Sequence, residues 1–227
     1  MRQADALAKI RTAILDAAGD DLARDKRARD RLGSPPHHPL PARAAPGADA
    51  LQAQFVSYLR AASANVIEVA SLAEIPAAAA RTLSSAGLPL SLLTGNDQRL
   101  ASLNFSAAGI ARVAGPTATE GAASLSHAMA GVAETGTLVL DSGADNPTSL
   151  AFLPEVHLVA LARDAIVGSY EEAMARVRTR YGKGEMPRAL NFISGASRTG
   201  DIGGRIVMGA HGPRSLCVIL YAERGPA

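Results

Sequence analysis

The chain has 227 residues, 48% of them hydrophobic, with 23 Lys+Arg against 21 Asp+Glu for a net charge of +2. That apolar content suffices for one sizeable core, while the near-balanced charge and the absence of Trp argue against a nucleic-acid footprint. A single cysteine, Cys217, can neither close an internal disulfide nor supply the thiolates of an iron-sulfur cluster.

In chain order, Leu7, Ile10 and Ile14 recur at helical spacing with Lys9, Arg11 and Asp16 between them, which predicts an amphipathic helix over residues 5–18. No signal-peptide core and no run of about 18 apolar residues is seen, so a cytoplasmic protein without a membrane span is expected. A charge run over 20–31 leads into Gly33-Ser34-Pro35-Pro36-His37-His38-Pro39-Leu40-Pro41, whose prolines forbid helix and predict an extended connector. His37 and His38 have no further ligands held near them, so no metal site is expected. The reading divides the chain into 1–47, helix plus connector, and 48–227, an α/β domain.

From residue 48 onward helical and strand-like segments alternate. Leu51, Phe55, Tyr58 and Leu59 mark a helix face, 66–69 a strand, 71–86 a helix, and 90–93 and 111–114 strands. Thr117-Ala118-Thr119-Glu120 reads as a capping box opening a further helix, and Ser169-Tyr170-Glu171-Glu172 as a second one with a helix to about 181. Apolar runs at 136–140, 156–161, 190–193 and 216–221 read as strands, and Cys217 as a buried strand thiol. Strands apolar on both faces and separated by helices predict an open, mostly parallel sheet with helices on both faces.

Familiar motifs fail. Gly195, Gly200, Gly203 and Gly204 are spaced wrongly for a dinucleotide fingerprint, and Gly182-Lys183-Gly184 lacks the rest of a P-loop and reads as a polar turn. Gly195-Ala196-Ser197-Arg198-Thr199 lacks the closing glycine of a nucleophile elbow. What remains is a set of polar residues expected at the carboxyl ends of parallel strands, where ligands of open α/β sheets bind. Glu134 and His211 are the candidate catalytic residues. Thr135, Gly136, Thr137, Ser194, Gly195, Ser197, Arg198, Thr199 and Asp201 are the candidate ligand-binding residues, with 194–201 expected as a flexible turn.

The Arg198 guanidinium suits a carboxylate or phosphate, aided by Ser197, Thr199 and backbone N–H groups near a helix start; the alternative is that it pairs with Asp201. Asp201 reads more simply as the cap of a short helix. Glu134 is either a nucleophile or base, or a carboxylate that binds Thr135, Thr137 or Arg198 and holds the loops together. His157 is either a core histidine or a proton carrier, and His211 an exposed site histidine.

Four runs in order, Ala133-Glu134-Thr135-Gly136-Thr137-Leu138-Val139-Leu140, Leu153-Pro154-Glu155-Val156-His157, Ser194-Gly195-Ala196-Ser197-Arg198-Thr199-Gly200-Asp201-Ile202 and Gly209-Ala210-His211-Gly212-Pro213, closely resemble the lactate utilization protein C family, the LutC/YkgG group of LUD-domain proteins. The likeness extends over nearly the whole chain, and departs from the family's usual pattern at Ala196, Gly200 and Gly203. It implies a fold like the NagB/RpiA/CoA-transferase group and a part in oxidising L-lactate to pyruvate. It further implies partner subunits that carry the iron-sulfur clusters, this chain holding no cofactor itself but binding a small organic anion or a partner. A homo-oligomer is compatible with it. The alternative is a stand-alone CoA-transferase-like or sugar-phosphate enzyme that uses Glu134.

Overall fold

A computed structural model describes residues 3–18, 21–34, 39–114, 122–182 and 184–223. The chain forms two compact units, Met1–Leu40 and Pro41–Ala227. The first holds α1 (Gln3–Ala18) and α2 (Asp21–Gly33). The expected amphipathic helix is therefore present, and its Leu7, Ile10 and Ile14 are exposed. The charge run behind it forms the second helix, where Asp25 and Arg29 pair one turn apart at 3.9 Å. His37 and His38 lie outside the described residues. No helix among the described residues is long and apolar enough to cross a membrane.

The second unit runs α3 (Ala48–Ala61), β1 (Ala64–Val69), α4 (Ile75–Ser85), β2 (Ser91–Thr94), the single turn α5 (Gln98–Ala101), β3 (Ala111–Ala114), β4 (Ala123–His127), β5 (Ala130–Val132), β6 (Thr137–Asp141) and α6 (Ser149–Phe152). It continues with β7 (Val156–Ala162), β8 (Ile166–Val167), α7 (Tyr170–Tyr181), β9 (Leu190–Ile193), β10 (Arg198–Ile202), β11 (Arg205–Met208) and β12 (Ser215–Tyr221). Six strands, in the order β1-β12-β7-β4-β2-β3, form a wholly parallel sheet. This is the α/β architecture expected from the strand and helix rhythm. The central strands β7 and β12 are buried almost end to end, which is why they read as unbroken apolar runs.

Both faces of this sheet are covered. Cys217 on β12 touches Thr82 of α4 at 3.7 Å, so α4 lies on the face of Cys217, Ile219 and Tyr221. On the other face Leu161 and Phe55 of α3 both press on Gly131 of β5. That strand belongs to a second sheet, ordered β8-β5-β6-β9, in which β5–β6 and β6–β9 pair antiparallel. Helix α7 packs on the small sheet through Ala173. Its start matches the expected capping box in part: the Ser169 hydroxyl accepts from Glu172 N at 3.2 Å, while the Glu172 carboxylate reaches back to Gly168 N at 2.7 Å.

Several expectations are corrected. The runs at 136–140 and 190–193 are strands, but they pair antiparallel in the small mixed sheet rather than joining the parallel one. The capping box at 117–120 lies outside the described residues, and just beyond it the chain forms the central strand β4 and then β5 instead of a helix. Strand β4 reads Ala-Ser-Leu-Ser-His, without the β-branched residues that announce a strand. Tertiary pairing overrides its weak propensity: the Ser124 hydroxyl donates to Leu150 O at 2.5 Å and Ser126 meets His157 at 3.1 Å. The helix expected over 71–86 starts only at Ile75, with Pro76 in its first turn and a 3-10 turn before it. The stretch expected as a flexible turn enters a β-hairpin at Arg198. Ile202 pairs with Arg205 around Gly203-Gly204, both glycines with φ above 60°, as a two-residue hairpin loop requires. No helix starts there, and Asp201 lies within a strand.

Candidate functional site

The predicted residues gather at the amino-terminal rim of the parallel sheet, not at its carboxyl rim. His211, Gly212 and Pro213 precede β12, and Ala151 and Phe152 precede β7. Between them the chain leaving β9 is tied down: Ser197 N donates to Pro213 O at 2.9 Å, and Gly209 N to Ser197 O at 2.9 Å. These segments line an open pocket of about 220 Å³ walled by Phe152, Phe192, Ser194, Gly195, Ser197 and His211, with Ala151, Ile193, Gly212 and Pro213 completing it. A broader depression of about 640 Å³ beside α3, walled by residues such as Arg60 and Glu68, includes none of the predicted site residues.

The turn between β5 and β6 adjoins this cavity through hydroxyls. Thr137 Oγ1 lies 2.6 Å from Ser194 Oγ, 2.7 Å from Thr135 Oγ1 and 2.9 Å from the Tyr170 hydroxyl, which is also 2.9 Å from Thr135. Four hydroxyls thus share one network, and Ser194 is the member that also faces the cavity. Each can donate one bond and accept two, so the ring satisfies itself while fixing the Ser194 hydroxyl.

Two glycines set this geometry. Gly136 has φ of 64°, and a Cβ there would lie 2.6 Å from Tyr58 Cβ and 2.7 Å from Leu59 N, so the turn rests directly on α3. At Gly195, φ is 93° and a Cβ would meet Ala62 O at 2.2 Å. Only glycine fits either position.

The other predicted residues are placed as follows. Glu134 is buried, 6% exposed, with Oε2 unpartnered among the described residues; it does not wall the cavity. Arg198 opens β10 opposite Met208 and is exposed. Thr199 lies opposite Val207. The structure therefore joins Thr135, Thr137, Ser194, Gly195, Ser197 and His211 around one locus, while Glu134 stays behind it. His157 is a core residue: it is fully buried against Ser126, and burial pushes its pKa down to about 3.

A second polar cluster, absent from the sequence reading, occupies the carboxyl rim. Thr94, His127 and Tyr221 are the last residues of the parallel strands β2, β4 and β12. His127 Nε2 lies 2.7 Å from the Tyr221 hydroxyl across the small side chains of Ala160 and Ala162, and both partners are 2% exposed. Asn146 clamps the His127 backbone, donating to its O at 2.7 Å and accepting from its N at 3.3 Å. Asp97, just past β2, accepts from Arg99 N at 2.9 Å and from the guanidinium at 3.0 and 2.5 Å. Burial works to raise the Asp97 pKa, but the hydrogen bonds and charge of Arg99 outweigh it and the carboxyl ends lowered. Burial, helped by the positive charge of Arg99, pushes His127 down to about 4, so the ring is neutral at pH 7. Burial holds the Tyr221 hydroxyl up at about 12. Nearby, Asp141 at the end of β6 accepts from the Tyr181 hydroxyl and pairs with Arg180 at 3.2 Å. The available signal was a polar residue closing an apolar strand run, as Tyr221 closes 216–220.

The profile of the LUD domain matches residues 52–221. The chain belongs to the LUD domain family. Among curated relatives, a protein named lactate utilization protein C from Shouchella clausii is 32% identical over 93 residues, 41% of this chain and 41% of that protein. One of the same name from Geobacillus sp. is 35% identical over 94 residues, 41% of this chain and 39% of that protein. The matched segment thus spans about two fifths of the length of each of these relatives. A crystal structure of a DUF162 family protein from Deinococcus radiodurans shares the fold, with a TM-score of 0.58 at 23% identity over 77% of this LUD chain and 98% of that one.

Proposed function

We propose that this LUD chain serves L-lactate utilization as an accessory subunit of an iron-sulfur-dependent system that oxidises lactate to pyruvate, and that it holds a small organic anion at the amino rim. The observation that carries the reading is the cavity where Ser194, Gly195, Ser197 and His211 converge, in a chain whose relatives bear the name lactate utilization protein C. A pocket of about 220 Å³ has room for a compact acid. The Ser197 side chain offers a donor to a carboxylate, and the exposed Arg198, next in sequence though not part of the pocket wall, brings the positive charge nearby. With one cysteine, itself buried, the chain looks to its partners for electron transfer.

A stand-alone transferase would need the Glu134 carboxylate at the substrate, and its burial outside the cavity wall favours the accessory reading. Deleting the gene from its host should abolish growth on L-lactate, and the tagged chain should co-purify with iron-sulfur proteins. Unimpaired growth together with a chain that elutes alone rejects the proposal.

A further inference from the structure

Resting on the anion reading of the amino-rim pocket and deepening it, we infer that Ser194 meets the ligand as a hydrogen-bond acceptor, so that the pocket selects a 2-hydroxy acid over the matching 2-oxo acid. A count of protons in the hydroxyl network leads there.

The hydroxyls of Thr135, Thr137, Tyr170 and Ser194 make four contacts, at 2.6 to 2.9 Å. Each hydroxyl owns one proton, so four contacts are four hydrogen bonds only if every proton stays inside the network. Thr135, Thr137 and Tyr170 form a closed triangle. Its three sides consume the protons of its three members, whichever way round they run. The remaining contact, Thr137 to Ser194 at 2.6 Å, then takes the Ser194 proton: Ser194 donates and Thr137 accepts. Thr137 accepts two bonds and donates one, which is its full capacity. Were Thr137 to donate to Ser194 instead, one side of the triangle would hold two oxygens in hydrogen-bond contact with no proton between them.

Of the four residues, Ser194 alone walls the pocket. With its proton committed to Thr137, it offers the ligand only lone pairs. A carboxylate or ketone oxygen is itself an acceptor and gains nothing from them, whereas a ligand hydroxyl donates. The wall contains no acidic residue to pair with an ammonium donor, which leaves the hydroxyl. A carboxylate at Ser197 with a hydroxyl on the adjoining carbon at Ser194 describes a 2-hydroxy acid.

Calorimetry of the full-length chain at pH 7 with L-lactate, pyruvate and propionate compares a hydroxyl, a carbonyl and a methylene at the same carbon. L-Lactate should bind about 3- to 10-fold more tightly than either of the others. Ser194→Ala should weaken lactate to the level of propionate while leaving propionate unchanged. Thr137→Val frees the Ser194 proton for the pocket, and should tighten pyruvate and close the gap. Pyruvate bound as tightly as lactate by the wild type, or a lactate preference that survives Ser194→Ala, would overturn the inference while leaving the anion reading standing. Failure of all three acids to bind would reject that reading and the inference with it. The wild-type series decides the matter even if a variant fails to fold.

Discussion

Gly136→Ala tests how the turn that carries Thr135 and Thr137 is held. A Cβ at φ of 64° puts an L-residue in the left-handed region, which costs about 1–2 kcal/mol. The same atom would sit 2.6–2.9 Å from Tyr58 Cβ, Leu59 N and Tyr58 C, two of them backbone atoms of α3 that no rotamer change can clear. Overpacking of this kind adds about 1–3 kcal/mol, for a total of about 2–5 kcal/mol. Two glycines of the β10–β11 hairpin separate the causes. Gly203→Ala carries the strain alone, with φ of 61° and nothing within 4 Å, and should lose about 1 kcal/mol. Gly200→Ala has neither left-handed φ nor close neighbours and should stay within about 0.5 kcal/mol of wild type. Urea unfolding followed by circular dichroism at fixed pH reads all three through their midpoints. A Gly136→Ala loss below about 0.5 kcal/mol, or one no larger than that of Gly203→Ala, would refute the claim that the turn rests on α3.

Buried His127 and His157 have folded pKa values of about 4 and about 3 against the usual 6.5, so the unfolded chain binds protons that the folded one refuses. Stability from this source is full above pH 6.5 and drains away as pH falls towards 4 and then 3, at a slope on the order of 2–3 kcal/mol per pH unit at most; a flat urea midpoint between pH 7 and 5 would contradict it. Cys217 is buried in β12 with its thiol pushed up to about 11, so a disulfide reagent at pH 8 should label it only at the rate of unfolding, and labelling within seconds in native buffer would be the contrary result. Arg198→Ala should weaken pyruvate binding at the amino-rim cavity by roughly 10- to 150-fold in calorimetry; unchanged affinity would remove Arg198 from the site.

The parallel sheet was legible because its central strands, such as 156–161 and 216–221, are buried on both faces and appear as continuous apolar runs. The small sheet was harder to place: an apolar strand of four or five residues reads the same in either sheet, and antiparallel pairing over such a distance leaves no local mark. The β10–β11 hairpin did leave one, Gly203-Gly204 between Ile202 and Arg205-Ile206, but the charged residues before it suggested a loop. Strand β4 gave no strand signal, since its serines and histidine are paid for by partners far away in sequence. The candidate site shows the same division. Thr135, Thr137, Ser194, Ser197 and His211 could be named from their motifs, but which rim they occupy depends on how β5, β6 and β9 fold back over the parallel sheet. The pair formed by His127 and Tyr221 joins residues 94 positions apart across a strand that lies between them, a relation that only the topology reveals.

A crystal structure of the chain at saturating pyruvate tests the amino-rim site most directly. The account predicts electron density in the cavity between Ser194, Ser197 and His211, with the Arg198 guanidinium turned onto the carboxylate. An empty cavity under those conditions, with pyruvate bound elsewhere or not at all, would contradict it.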